Sequence, residues 1–548
     1  MADLFRDTAA GQIVRYLSRG RLLPYLEDSP DFSEVVCEKS PHTKKFTFQV
    51  VISDQQSSME PSDSQERTLF GDNQSPPQTL NEENDPNLVS WYGPDDPENP
   101  LNWSTPKKFF VTGALSFMTF SVYVGSNFTA YFHTNLTVAT LGLTLFVFGY
   151  GIGPMFLSSL TEIPQIGRSP PYLVSLGIFF ILQIPTVLAT NVPGFLILRF
   201  LGGFWGSPPL ATGGASIGDI FPPSTRAYAI GAWGTVSICG PVLGPLIGGF
   251  ASGALGWRWS LWPLLFLCGG TWLFLMFALP ETSAGNILYK RRLRLVRLRQ
   301  RRGIEGAAQM TVGEVLKATL IRPFQLMIME PIVLSLNLYM ALLYAILYCW
   351  FESIPIVFGD VYHFTLGLQG TSFIGILIGA IVVYAVHCVY MKKVVAPAFE
   401  EGAAKAHTLE DRLVGACFGC WWIPICLFWF GWTSTASVHW IVPIVGSSLF
   451  NLGMFLVYTA ICNYLPDAYP VYAASVLAGN GLLRAVVGGA FPLFARAMFV
   501  NLQKNGPKAF PVAWGMACLA AAMIPIPFVL YKYGKWIRHH SKYALHDD

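Results

Sequence analysis

GAWGTVSICGPVLGPLIGG, Gly231 to Gly249, places glycines and prolines at four-residue intervals inside an apolar run. Gly240, Gly244 and Gly248 fall on one helix face and let a neighbouring helix approach closely. Pro241 and Pro245 remove backbone donors and bend the same segment. In water such a helix defeats itself. Between membrane helices the freed carbonyls find partners. The segment reads as a close-packed, kinked helix that slides or rocks, in a polytopic membrane protein.

The composition agrees. Of 548 residues, 52% are hydrophobic and 13% are charged, whereas soluble domains carry about 25% charged residues. A spanning helix needs about 20 apolar residues. Twelve windows qualify, at 109–128, 138–159, 172–190, 193–215, 228–250, 260–280, 330–351, 369–391, 413–432, 438–459, 471–495 and 511–531. They are called the first to twelfth spans below. The expected fold is all-α, with two six-helix halves.

Charge placement orients these spans. Lys290, Arg291, Arg292, Arg294, Arg297, Arg299, Arg301 and Arg302 follow the sixth span, and the positive-inside rule makes that connection cytoplasmic. An even span count then puts both termini in the cytoplasm. Lys392, Lys393, Lys405, Arg412, Lys532, Lys535, Arg538 and Lys542 fall on the same side, whereas 126–137, 352–368 and 433–437 carry no Lys or Arg. Lys504 and Lys508 are the exception. The charged N-terminus lacks the apolar stretch of a signal peptide, so the first span is expected to direct insertion itself.

Five regions result. Residues 1–107 form a cytoplasmic tail, with an amphipathic helix over Leu4–Leu26 that suits either an anionic leaflet or the protein's own loops. A polar, disordered stretch follows it. Residues 108–282 are the first half, 283–325 a basic central loop, 326–532 the second half and 533–548 a C-terminal tail. The basic run reads as a cytoplasmic amphipathic helix that anchors topology and meets lipid headgroups rather than nucleic acid. Two six-helix halves around a long link suit a transporter with a central pathway.

Ionisable residues at membrane depth are costly and usually functional. Arg199, in LILRFLGGFWGSPPLATGG, is either a fixed cation steering a nearby proton or cargo, or a structural arginine on backbone carbonyls or a carboxylate. Glu162 and Arg168 flank the turn in LTEIPQIGRSPPY and suit a charge latch that breaks when the halves rock, with Gly167 giving the turn its freedom. Asp219 suits an end cap or a latch partner. Glu352, among Trp350, Phe351 and Pro355, is a candidate for proton handling or a solvated helix end. His387 reads as a structural histidine. Aromatic residues make up 14% of the chain. Trp233, Tyr344 and Tyr348, with Asn337, Asn451, Asn480 and Arg484, are the candidate cargo pathway, an apolar surface with a few polar handles.

The ten cysteines show no framework spacing, and Cys417–Cys420 lies in an apolar helix, where small-residue packing is the expected role. No G-x-x-x-x-G-K-[ST] loop is present, so ATP is not the expected fuel. No catalytic constellation or metal spacing stands out, and no enzyme, cofactor or metal site is expected. Asn127 and Asn135 are weak glycosylation sequons close to the membrane.

GPVLGPLIGG with Gly231 resembles the antiporter motif of the major facilitator superfamily, a motif that spans Gly231, Gly240, Pro241, Gly244, Pro245, Gly248 and Gly249 here. LILRFLGG resembles its fourth-helix arginine motif. The Gly167–Arg168 turn resembles its loop between the second and third helices, with Pro164 standing where the general motif has aspartate. WYGPDDPENPLNWS (91–104), LTEIPQIGR, Trp257-Arg258-Trp259, LPET (279–282), WFESIPIVF (350–358) and Asp411-Arg412-Leu413 are similar to the fungal twelve-span drug:proton antiporters. Relatives often carry an acid where Gly481 stands. The resemblance implies proton-coupled efflux of hydrophobic or amphipathic small molecules by alternating access. Cargo and protons are the partners it implies, for a monomer in the plasma membrane or the vacuolar membrane. A dedicated exporter of an endogenous secondary metabolite or mycotoxin is the alternative.

Overall fold

Proline and glycine decide where the helices of this protein break. The computed structural model describes residues 2–18, 22–25, 90–124, 136–301, 323–395, 409–502, 511–541 and 543–544. The predicted disordered stretch, most of the predicted first outer segment with Asn127 and Asn135, Arg302, Lys405, Lys504, Lys508 and Lys542 lie outside these residues. Among the described residues regular structure is helical, and the only extended pairing is one isolated bridge from Thr8 to Pro280.

Among the described residues, ten helices are long and apolar enough to cross a membrane. The other two predicted spans are helical but different in form. The first, Thr105–Tyr123, begins with Lys107 and Lys108. The fourth is two helices, Val192–Trp205 and Pro208–Ile220, rather than the continuous 193–215 expected. Pro208 and Pro209 have no N–H to continue the ladder, so the chain turns at Gly206–Ser207. The fifth span is one helix, Pro223–Leu255, with Pro241 and Pro245 inside it. The seventh, Pro331–Ile354, loosens into a wider turn at Pro355–Val361. The tenth runs Ile441–Ala468, two turns beyond its predicted end. The twelfth is Pro511–Ala522 followed by Pro525–His539, past the predicted boundary at 532.

The buried apolar side chains form two clusters, each drawn almost wholly from one half. Tyr348 and Ala485 of the second half join the first cluster, and Val242 of the first half joins the second. The halves meet chiefly where the second span packs on the eleventh and the fifth on the eighth: a β-carbon on Gly151 would run into Ala485 Cβ, and one on Gly370 would lie 2.7 Å from the Pro245 carbonyl oxygen.

One end of the bundle carries both tails and the basic helix, and is called the basic face. The predicted basic helix is present as Ala284–Arg301. Arg291, 1% exposed, donates to both carboxylate oxygens of Asp96 at 2.7 and 3.2 Å and stacks over the Tyr92 ring. Burial opposes ionisation of Asp96, but the Arg291 bond and the backbone N–H groups of Tyr92 and Glu98 outweigh it and hold its carboxyl below the usual range. The N-terminal tail is held here too. Helices Ala2–Arg6 and Ala9–Leu17 lie against the end of the sixth span, and Tyr25 stacks on Arg6, Arg15 and Arg294. Ile13, Tyr16 and Leu17 stay exposed, so the amphipathic helix packs on the protein with one face and shows an apolar face outward.

Candidate functional site: a cavity between the halves

Among the described residues the apolar spans leave a space to which both halves contribute walls. A cavity of about 820 Å³, counting its openings, is lined by Tyr123, Leu210, Trp233, Pro241, Tyr344, Tyr348, Trp350, Phe351, Phe450, Asn451 and Tyr458 among others. A smaller neighbour of about 360 Å³ shares Leu210, Trp233 and Tyr458 with it and adds Asn480 and Arg484. Trp233 anchors the shared wall, with its Nε1–H donating to Thr119 Oγ1 at 2.9 Å. Trp350 is fully buried, stacked on Phe450 with centroids 5.3 Å apart. Six of the seven predicted pathway residues line the two cavities; Asn337 stands behind, accepting from Asn480 Nδ2 at 2.9 Å.

The glycine-proline helix forms the wall that meets both halves. A β-carbon on Gly240 would lie 2.5 Å from Tyr123 Cβ, and one on Gly244 would lie 2.7 Å from the Val124 carbonyl oxygen. The first span therefore touches the backbone of the fifth, as the spacing predicts. Further along, a β-carbon on Gly249 would lie 2.7 Å from the Leu366 carbonyl oxygen, and at the other end Gly231 faces Tyr384 and His387. This one helix packs against the first span in its own half and the eighth in the other. Its prolines place Pro241 directly on the cavity.

At the basic face, polar contacts cross between halves. Asp467 of the tenth span accepts from Arg226 of the fifth at 3.1 Å and from Arg412 beside the ninth at 3.1 Å. Glu162, ending the second span, accepts from Ser475 N and Ser475 Oγ at 3.1 and 2.9 Å. A carboxylate at a helix N-terminus meets free N–H groups and the positive end of the helix dipole, which fits Ser475 in the first turn of Ala473–Ala490. Arg168 takes Asp219 as its ion-pair partner, through Nε and Nη2. Burial works against the Arg168 charge, yet the Asp219 carboxylate more than offsets it and raises the guanidinium's pKa above its ordinary value. Arg168 thus pairs with Asp219 within the first half, and Glu162 reaches across to the other half.

Glu281, in LPET, completes this turn. It accepts from Arg168 N at 2.9 Å and Ser169 N at 3.2 Å, capping the third span. Gly167 has φ +81°, and a β-carbon there would lie 2.6 Å from Glu281 Oε2. The turn needs glycine twice over, for its left-handed backbone and for that contact. Asn286 Nδ2 donates to the Pro164 carbonyl at 2.7 Å, so the position without aspartate is still tied down.

A family model described as "Major Facilitator Superfamily" matches residues 109–492. The chain belongs to the major facilitator superfamily. A transporter of Schizosaccharomyces pombe, mfs1, is 44% identical over 473 residues, covering 83% of this chain and 88% of that one. A multidrug transporter of Candida glabrata is 43% identical over 476 residues, 84% of each chain. Among solved structures a proton:xylose symporter superposes with a TM-score of 0.53 at 14% identity, over 79% of this chain and 96% of that one, which shows a shared fold.

Two predicted residues of this superfamily member stand apart from the cavity. Arg199 is 1% exposed between the fourth and second spans, its guanidinium 4.7 Å from the Phe146 ring centroid and its Nε 3.4 Å from the Gly142 carbonyl. Glu352 lies beyond the cavity's Phe351, and the charge acting on it is Arg496. His387 packs on Phe455 at the fifth–eighth contact. Cys420 Sγ donates to the Cys417 carbonyl, the packing role expected. Sequence reasoning missed Asp467 and Arg226, whose only signal is a charge at a helix end, and Tyr123 and Tyr458, which look like any aromatic residue in a span.

Proposed function

We propose that this transporter exports hydrophobic and amphipathic small molecules, antifungal drugs among them, in exchange for protons and by alternating access. The carrying observation is the aromatic cavity walled by both halves, with the glycine-proline helix between them. An apolar wall binds by area, which tolerates varied cargo. The Candida glabrata relative's name, a multidrug transporter, supports the same reading.

The basic face is assigned to the cytoplasm of a plasma-membrane monomer, with both tails there. Arg226–Asp467–Arg412 and Glu162–Ser475 then close the cytoplasmic gate and part when the halves rock inward. Glu352 is assigned to proton handling, with Arg496 as the charge that returns the proton. Arg199 is assigned to holding the second and fourth spans in register during the movement.

The test is expression in a yeast that lacks its own drug pumps, scored for growth on several unrelated hydrophobic drugs. Raised resistance to three or more chemical classes supports the reading. Correctly localised protein that changes resistance to none overturns it and leaves a dedicated metabolite exporter.

A further inference from the structure

At the basic face the buried guanidinium groups of Arg168, Arg291 and Arg538 each have a carboxylate opposite them. The cavity is different. Among its lining residues there is no Asp, Glu or Lys, and the single charge is Arg484. Arg484 is 4% exposed and makes no ion pair among the described residues. Its charge faces tyrosines instead, with Cζ 4.6 Å from the Tyr344 centroid and 5.4 Å from that of Tyr458. Ring faces attract a cation but supply no acceptor lone pair; the Tyr344 hydroxyl takes one guanidinium hydrogen bond, and Arg484 Nε has no partner among the described residues.

Two more buried donors share this condition. Asn451 Nδ2, 3% exposed, and Trp350 Nε1, fully buried, have no hydrogen-bond partner among the described residues, and both residues line the larger cavity. Buried polar groups are nearly always bonded. Three unbonded donors on contiguous walls, without one free acid, make a surface that asks for acceptors.

We propose that this donor set selects the cargo: apolar molecules that carry an acceptor group and no positive charge, with acidic compounds preferred through Arg484. This rests on the exporter reading above. A lipophilic cation would meet Arg484 in a low-dielectric space with no carboxylate to screen it, and is excluded. A neutral molecule with a carbonyl or ring-nitrogen acceptor is accepted. A carboxylate or sulfonate gains a charge-assisted bond as well, worth about ten- to a hundredfold in affinity.

A matched probe pair tests this. 8-Anilinonaphthalene-1-sulfonate and N-phenyl-1-naphthylamine share one aromatic frame and differ in the sulfonate. Their binding to the full-length protein in nanodiscs is followed by fluorescence, with tetraphenylphosphonium as competitor. Wild type is expected to hold the sulfonate about tenfold tighter than the neutral probe, and tetraphenylphosphonium to displace neither. Arg484→Gln should erase the preference, and Arg484→Lys should keep part of it. Asn451→Asp, isosteric and acidic, should admit tetraphenylphosphonium, which separates selection from misfolding. An unchanged preference in Arg484→Gln, or displacement by tetraphenylphosphonium in wild type, overturns the proposal. So does the absence of probe binding in a protein that still confers drug resistance. Absence of both binding and resistance overturns the exporter reading itself.

Discussion

Replacing Gly240 by leucine loads the contact on which the rocking helix depends. Even alanine would put its β-carbon 2.5 Å from Tyr123 Cβ and 3.1 Å from Val124 N. Carbon atoms settle near 3.5–4 Å, so the first and fifth spans must part by about 1 Å for alanine alone. Leucine adds three more carbons with no space to enter. Overpacking of this kind costs about 1–3 kcal/mol. At tenfold per 1.4 kcal/mol, that removes about 5- to 150-fold of the packed state. Efflux of a fluorescent hydrophobic dye, normalised to tagged protein at the membrane, should therefore fall about tenfold in Gly240→Ala and to background in Gly240→Leu. Gly253→Leu is the control, because a β-carbon there meets nothing within 4 Å on the same helix. Wild-type efflux from Gly240→Leu would refute the close-packed contact as a working part.

Four further outcomes follow from the same contacts. Arg199→Ala should cut efflux more than cargo affinity, because the residue holds the second and fourth spans in register during the movement; equal losses in an efflux assay and a binding assay would contradict that role. Asp467→Asn frees Arg226 and Arg412, half-buried ion partners worth about 0.5–1 kcal/mol each. Labelling of Cys462, which lines the smaller cavity, should speed up about 5- to 30-fold in a background with the other cysteines replaced. Gly167→Ala forces a left-handed turn and costs about 1–2 kcal/mol before the Glu281 contact is counted, and should lower both efflux and detergent stability. Glu410→Gln leaves Arg538, itself 1% exposed, without its carboxylate. Loss of about 3–5 kcal/mol is expected, seen as a lower unfolding temperature, and Glu410→Gln with Arg538→Met should lose less.

Much of this was legible in the chain. Apolar windows of span length report lipid exposure directly, so the order of helices followed from composition. The glycine spacing at 240 and 244 predicted close approach because only packing rewards it, and the first span is what approaches. What stayed hidden depends on which way a side chain points. Arg199 and Arg484 read alike as arginines among glycines in apolar spans, yet one is clamped between two helices and the other faces the cavity. Asp467 and Arg226 stand 241 positions apart, and neither has a local pattern that announces the partner. The break in the fourth span was readable from Pro208-Pro209, but hydropathy alone ran across it.

The central claim is exchange of cargo for protons, and purified protein in proteoliposomes tests it most directly. The measurement is uptake of radiolabelled cycloheximide, a neutral drug that a pH gradient does not trap, with the lumen acidified and again with a protonophore. Uptake above equilibrium that requires the acidic lumen and collapses with the protonophore is the predicted result. Uptake that merely equilibrates, the same with and without the gradient, would contradict it.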